Sequence, residues 1–200
     1  MKLIEEFGTS EECRQLLEEL RWPNGVKCSR CQSEEISRIR QRHQFDCNSC
    51  SYQFSVTAGT LFNDTHLPLP TWFAAVCLMC EVQKGVSANK LKGILGVSYK
   101  TAWCLCHRIR TAMREANSTR VKGTVGLVRG NVPTSRIERV PRLLRRLVVG
   151  PRHHVSAKHL DKYINEFEFR LNNPKNPYLV RDTLLQLLHS DALPYRALVG

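Results

Sequence analysis

Val26-Lys27-Cys28-Ser29-Arg30-Cys31 and Phe45-Asp46-Cys47-Asn48-Ser49-Cys50 are the two segments on which the reading of this chain turns. Each carries a C-x-x-C pair, and fifteen residues separate Cys31 from Cys47. A C-x-x-C on a tight knuckle aims two thiolates at one ion. Two knuckles joined by a segment long enough for a hairpin to return make a tetrahedral zinc site. Ile36, Arg38 and Arg40, followed by Gln44-Phe45, predict the two short strands of that hairpin. Four thiolates leave no position open for a reactive water, so the expected ion is one structural Zn2+ held by Cys28, Cys31, Cys47 and Cys50. A ribbon of about 30 residues buries too little apolar surface to fold alone, so metal binding becomes its folding free energy. The alternative, a pair of disulfides, needs an oxidising compartment. Met1-Lys2-Leu3-Ile4 runs straight into Glu5-Glu6 without an apolar signal stretch. No apolar run is long enough to span a bilayer. The expectation is a cytoplasmic protein without membrane contact, nucleoid-associated in a bacterium or nuclear in a eukaryote.

Outside the cysteines, charge is the strongest signal. The 200 residues carry a formal net charge of +12, which points to an anionic partner. The excess is localised: Lys84 to Leu160 holds 17 Lys and Arg against Glu115 and Glu138 alone. The segment ahead of the ribbon is acidic (Glu5, Glu6, Glu11, Glu12, Glu18, Glu19), and is read as an N-terminal helical segment over 1–25, with the ribbon at 26–56.

The basic stretch coincides with a helical pattern. Pro70 suits a helix entry ahead of the apolar run Trp72–Val82, and Gly85 closes it. Ser87 caps a second helix, Ala88 to Leu95, ended by Gly96; Ser98 caps a third from Tyr99 to about Glu115. Leu95-Gly96-Val97-Ser98 is the short glycine-containing turn of a helix-turn-helix, which places a DNA-binding region at 66–116. Ala102, Cys106, Ile109 and Met113 recur at three- and four-residue steps and are expected to face the core. Lys100, Thr101, Cys104, His107, Arg108, Thr111 and Arg114 then lie outward. The second helix of such a pair enters the major groove with its first turns. Tyr99, Lys100, Thr101 and Arg108 are therefore candidate contacts to double-stranded DNA, with Arg110 and Arg114 on phosphates. An ordinary small helical bundle is the alternative. Cys77 and Cys80 repeat the C-x-x-C spacing inside an apolar helix and are read as core residues, since no second ligand pair accompanies them. Cys104 and Cys106 face different ways, and His153, His154 and His159 are read as exposed or phosphate-facing.

The order of these parts resembles a known group. The ribbon, Ser55-Val56-Thr57-Ala58-Gly59-Thr60-Leu61-Phe62, Leu67-Pro68-Leu69, Lys84-Gly85-Val86-Ser87-Ala88 and Leu95-Gly96-Val97-Ser98-Tyr99-Lys100-Thr101-Ala102-Trp103 are similar to insertion-sequence transposases of the ISXO type, themselves similar to Merlin elements. That resemblance implies a zinc ribbon, a helix-turn-helix and a DDE-type nuclease domain of RNase H-like fold. It breaks after Gly123-Thr124-Val125, the opening of the strand that bears the first catalytic aspartate in the group, because Gly126-Leu127 follow without an acid. Leu127-Val128-Arg129-Gly130-Asn131-Val132 then resembles a block near the far end of the nuclease domain. Ser135 falls where the group has its third catalytic residue, and Glu138 stands one helical turn on. The resemblance resumes through Gly150, His154–Leu160 and Tyr163–Asn172. An internal deletion between about Val125 and Leu127 accounts for the pattern, with a junction at 117–136 and a domain remnant at 137–200.

Elementary chemistry agrees with that reading. Two-metal strand transfer needs clustered carboxylates, and Glu115 and Glu138 are the only acids between Lys84 and Leu160. The 78 residues from Gly123 to Gly200 fall short of the roughly 100–150 of an ordinary domain, and Pro141 sits inside an expected helix, at about 3 kcal/mol. The expected fold class is small α+β: the ribbon, a helix-turn-helix region, and a truncated, mainly helical remnant of an RNase H-like domain. The expected function is binding of element-end DNA in a transposition system with no catalytic residues and no Mg2+. The alternatives are action with an intact copy in a mixed oligomer, or repression of transcription. Leu160, Tyr163, Ile164, Phe167 and Leu171 form a stripe on a helix capped by Ser156, and Leu179–Leu188 a second. Having lost their sheet, these either pack on each other, dimerise or stay exposed. Arg139, Arg142, Arg145, Arg146 and Arg152 are a second phosphate-binding cluster.

Overall fold

The structure is a computed structural model that describes residues 8–82, 85–124, 159–173 and 176–199, with the side chains of the long helix described as far as Arg114. The expected Ser156 cap, the junction beyond Thr124, and the arginines from Arg129 to Arg152 lie outside the described residues.

The chain starts with α1, Ser10–Arg21. Thr9 caps it: its hydroxyl accepts from the Glu12 N–H at 3.2 Å while its own N–H donates to the Glu12 carboxylate at 2.6 Å. Glu11 and Glu12 in the first turn and Arg21 in the last complement the helix dipole. Cys13 and Leu17 form the buried side. The ribbon follows as an antiparallel sheet in the order β1 (Ile36–Ile39), β2 (Gln44–Cys47), β3 (Gln53–Phe54). Ile36 pairs with Cys47, and Phe45 with Phe54. The two expected strands are present. The third, only two residues long, had no periodicity by which to announce itself. A 3-10 turn, Arg40–Arg42, closes the hairpin, with His43 in the left-handed region at φ 51°.

Two apolar clusters result. The ribbon's own is small, built on Cys28, Phe45, Cys47 and Phe54. Trp22, just beyond α1, sets its ring edge-on to Phe45 at 5.4 Å and to Phe54 at 5.9 Å, and packs against both clusters. After β3 a strap runs over Ser55–Phe62, with Val56, Leu61 and Phe62 buried in the main core. It is pinned to the far end of the chain: Thr60 bridges to Asp191, and the Leu61 N–H donates to the Leu187 carbonyl at 3.1 Å.

The main core is helical. α2, Leu69–Glu81, is buried on nearly every side, as its continuous apolar sequence requires. α3, Ala88–Leu95, and α4, Tyr99–Thr124, form the expected helix pair. Ser87 and Ser98 accept the capping N–H groups of Lys90 and Thr101, and Gly96 turns the chain at φ 66°. α4 runs about two turns beyond its expected end at Glu115. α5 (Leu160–Asn172), α6 (Leu179–His189) and the short α7 (Tyr195–Val199) complete seven helices among the described residues. The C-terminal helices do not simply cover one another. α5, α6 and α7 all pack against α4, and Phe169, Leu184, Leu187 and Leu188 enter the same core as α1, α2 and α3. The small α+β class stands, with Trp22 packed against both the ribbon cluster and the helical core.

Candidate metal centre and nucleic-acid face

The two cysteine knuckles have the same local geometry. The Gln32 N–H donates to the Cys28 carbonyl at 3.0 Å and the Ser51 N–H to the Cys47 carbonyl at 2.8 Å. Gln32 and Ser51, each following the second cysteine of its pair, both take left-handed φ, at 61° and 53°. That turn swings the paired sulfurs to one side. Sγ of Cys28 lies 3.6 Å from that of Cys50, and Sγ of Cys31 lies 3.5 Å from that of Cys47. All four ligand atoms fall within 4.8 Å of one another. A tetrahedron with metal–sulfur bonds of about 2.3 Å has edges of about 3.8 Å, so the quartet fits a Zn2+ ion and is far from the roughly 2 Å of a sulfur–sulfur bond. The centre is a structural zinc site. Without the cation its thiols compete: burial opposes ionisation of Cys28, yet the N–H groups of Cys31 and Arg30 and the neighbouring thiols bring it down to about 6. Burial, and hydrogen bonding with the other three thiols, push Cys50 up to about 12.

The helix pair places the nucleic-acid candidates in four different situations. Tyr99, Lys100 and Arg114 are exposed. The Lys100 ammonium lies 4.5 Å from the centre of the Tyr195 ring on α7. Thr101 is half-buried and its hydroxyl is held by that of Ser98 at 2.8 Å. Arg108 is turned inward far enough to donate to the carbonyls of Leu61 at 3.2 Å and Asn63 at 2.8 Å, so it fastens the strap to α4.

Arg110 requires a correction. It is 2% exposed and donates to Glu166 on α5 at 2.6 Å and to the Val86 carbonyl at 3.3 Å, with its guanidinium 4.0 Å from the Tyr163 ring centre. It is an interior residue with no path to a phosphate. Glu166, itself buried, also binds Arg170, which donates in turn to the Met79 and Val82 carbonyls at the end of α2. His107, expected outward, is buried against Trp103, with His159 also in the cluster. Burial, then the charges of Arg110 and Lys162, lower its pKa to about 3, so it stays neutral. His159 packs edge-on to Trp103 and does not stand free in solvent. The i, i+4 spacing of Glu166 and Arg170 was visible in the sequence, but nothing there signalled the partner on α4, 56 positions away.

Ala102, Cys106, Ile109 and Met113 are buried as expected, joined by Leu105 and Ala112. Cys80 sits in the core with its thiol 3.4 Å from the Thr183 hydroxyl, and burial pushes it up to about 11. Cys106 is buried and Cys104 half-exposed. Among the described residues the cysteine quartet is the one cluster of three or more potential metal ligands. No helix among them is long and apolar enough to cross a membrane.

Residues 8–53 match the family described as a transposase zinc-ribbon domain, and residues 106–172 match the family described as an ISXO2-like transposase domain. The buried Arg110–Glu166 pair joins the two ends of the second match. A protein of Halobacterium salinarum, described as an uncharacterized protein in transposable element ISH50, is 30% identical over 116 residues. That alignment covers 56% of this chain and 39% of the Halobacterium protein, so the chain spans well under half the length of this curated relative. No solved structure matches the chain.

Proposed function

We propose that this chain, which belongs to the transposases built from a zinc ribbon and an ISXO2-like domain, binds duplex DNA at the ends of a mobile element and does not itself cut it. The observation that carries the binding half is the exposed edge of the helix pair. Lys90, Lys92, Tyr99 and Lys100 all reach solvent around the Gly96–Ser98 turn. The stretch from Gly85 to Arg114 carries no Asp or Glu of its own, and Asp64 lines the cavity beside Lys100. The first turn of α4 also presents its N-terminal N–H groups there, a position suited to a phosphate beside the base edges that Tyr99 and Lys100 would meet. Arg114 lies farther along the same helix and reads as a backbone contact.

The non-cutting half rests on the supply of acids. Strand transfer by two metal ions needs several carboxylates in one place. Between Lys84 and Leu160 the chain has two, and Glu166 beyond them is already neutralised by two arginines. An internal deletion near Val125–Leu127 accounts for that poverty.

The test measures fluorescence anisotropy of the zinc-loaded protein on a duplex bearing the terminal repeat of its element, against a scrambled duplex, together with strand cleavage in Mg2+ or Mn2+. The expected result is a specificity ratio of about a thousandfold or more and intact strands. Equal binding to both duplexes overturns end recognition. Nicking by the pure protein overturns the loss of catalysis.

A further inference from the structure

We infer that the cleft between the first cysteine knuckle and the end of α6 is a second contact site for the phosphate backbone of the same duplex, an inference that rests on the DNA-binding reading above. The cleft has a volume of about 810 Å3 and is walled by Arg21 and Trp22 of the α1 end, by Lys27 and Arg30 of the knuckle, and by His189 and Asp191 across from them.

Three observations carry it. First, Arg21 is a half-buried cation at the cleft that forms no ion pair among the described residues. Its guanidinium donates to the Val56 and Ala58 carbonyls and lies 4.9 Å from the Trp22 ring centre. Burial lowers its pKa from the ordinary arginine value, the mark of a charge that gains from a nearby anion. Second, two exposed cations stand at the mouth. Arg30 forms no ion pair among the described residues and lies 6.0 Å from the centre of the Tyr52 ring, itself stacked on Phe54. Among the described residues Lys27 pairs with Glu34 alone, at 2.9 Å in the open, an attachment that costs little to exchange. The opposing Asp191 leaves the lining net positive.

Third, the strap ties this cleft to the helix pair. Ala58 and Gly59 line the cleft, while Asp64 and Thr65 line a smaller cavity of about 390 Å3 beside Lys100 and Thr101. Five residues of chain from Gly59 to Asp64 span at most about 18 Å. That is about half of the roughly 34 Å helical repeat of a duplex, a separation within the length of one DNA molecule. The ribbon then serves as the second jaw of a grip whose first jaw is the helix pair.

The experiment measures affinity and its salt dependence for a duplex, by anisotropy, with the wild-type protein, the Lys27→Glu/Arg30→Glu variant and the Lys90→Glu/Lys100→Glu variant. Zinc content and thermal melting confirm that each is folded. Loss of two phosphate contacts makes the slope of log K against log salt shallower by about 1.8 and weakens binding at least about tenfold at moderate salt. The cleft variant is expected to show this, and the helix-pair variant to show a separate loss. If the folded cleft variant binds with wild-type affinity and slope, the cleft is overturned while the helix-pair reading stands. If the wild-type protein binds no duplex at all, both fall together.

Discussion

Glu166 faces two guanidiniums, those of Arg110 and Arg170, inside a site that excludes water. Removing the carboxylate strands Arg110 as a buried, unpaired cation, which costs about 3–5 kcal/mol. Glu166→Ala should therefore lower the melting temperature steeply. The double change Arg110→Met/Glu166→Leu should recover much of the loss, because an apolar pair of similar volume needs no solvation. A thermal melt of the two variants decides whether the ion pair or its burial matters. His107 gives a prediction with a definite sign. Its folded pKa of about 3 lies below the ordinary histidine value, so in acid the unfolded chain takes a proton that the folded chain refuses. Stability then rises with pH between about 3 and 6.5, by at most about 1.4 kcal/mol per pH unit from this group. His107→Phe should flatten that window in urea titrations run from pH 4 to pH 7; an unchanged slope sinks the assignment. At the metal centre, Cys47→Ser should abolish stoichiometric zinc and melt the ribbon, and zinc binding by the native quartet should release protons at pH 7. Calorimetry in buffers of different ionisation enthalpy measures that release directly.

Short elements were legible where capping and stop residues set their ends. Ser87, Gly96 and Ser98 are a cap, a stop and a cap, so α3 emerges with its expected limits, Ala88–Leu95. The end of α4 carries no such signal, and the helix runs past its expected end at Glu115 to Thr124. β3 and α7, at two and five residues, are too short to show a period and are set by what they pack on. The same contrast gives the prediction for the turn. Gly96 is at φ 66°, and a Cβ there would meet nothing within 4 Å. Gly96→Ala should therefore cost about 1 kcal/mol from backbone strain alone, with the helix pair otherwise unchanged by circular dichroism. A loss several times larger would mean that the turn is packed against something the open space does not suggest.

At the scale of the molecule, the sequence divides the chain into a DNA-binding region and a C-terminal remnant, because the resemblance to intact transposases implies a separate nuclease domain. The packing runs the other way. Leu184, Leu187 and Leu188 from α6 and Phe169 from α5 are buried in one core with α1, α2, α3 and α4. The strap at Leu61 takes its backbone partner from Leu187, and Arg170 satisfies carbonyls at the end of α2. Residues far apart in sequence carry these contacts, so no local pattern could reveal them. It follows that the helix pair should not survive alone. A fragment ending at Thr124 would expose the apolar faces of α2 and α4 and strip Arg110 of both its carboxylate and the α5 surface that covers it, a combination that invites loss of fixed packing and aggregation. Its near-ultraviolet dichroism should be weak and its melt shallow, and adding a fragment spanning residues 159–199 should restore both. A cooperative melt of the short fragment at the full-length temperature would show instead that the C-terminal helices only lie against a domain already complete.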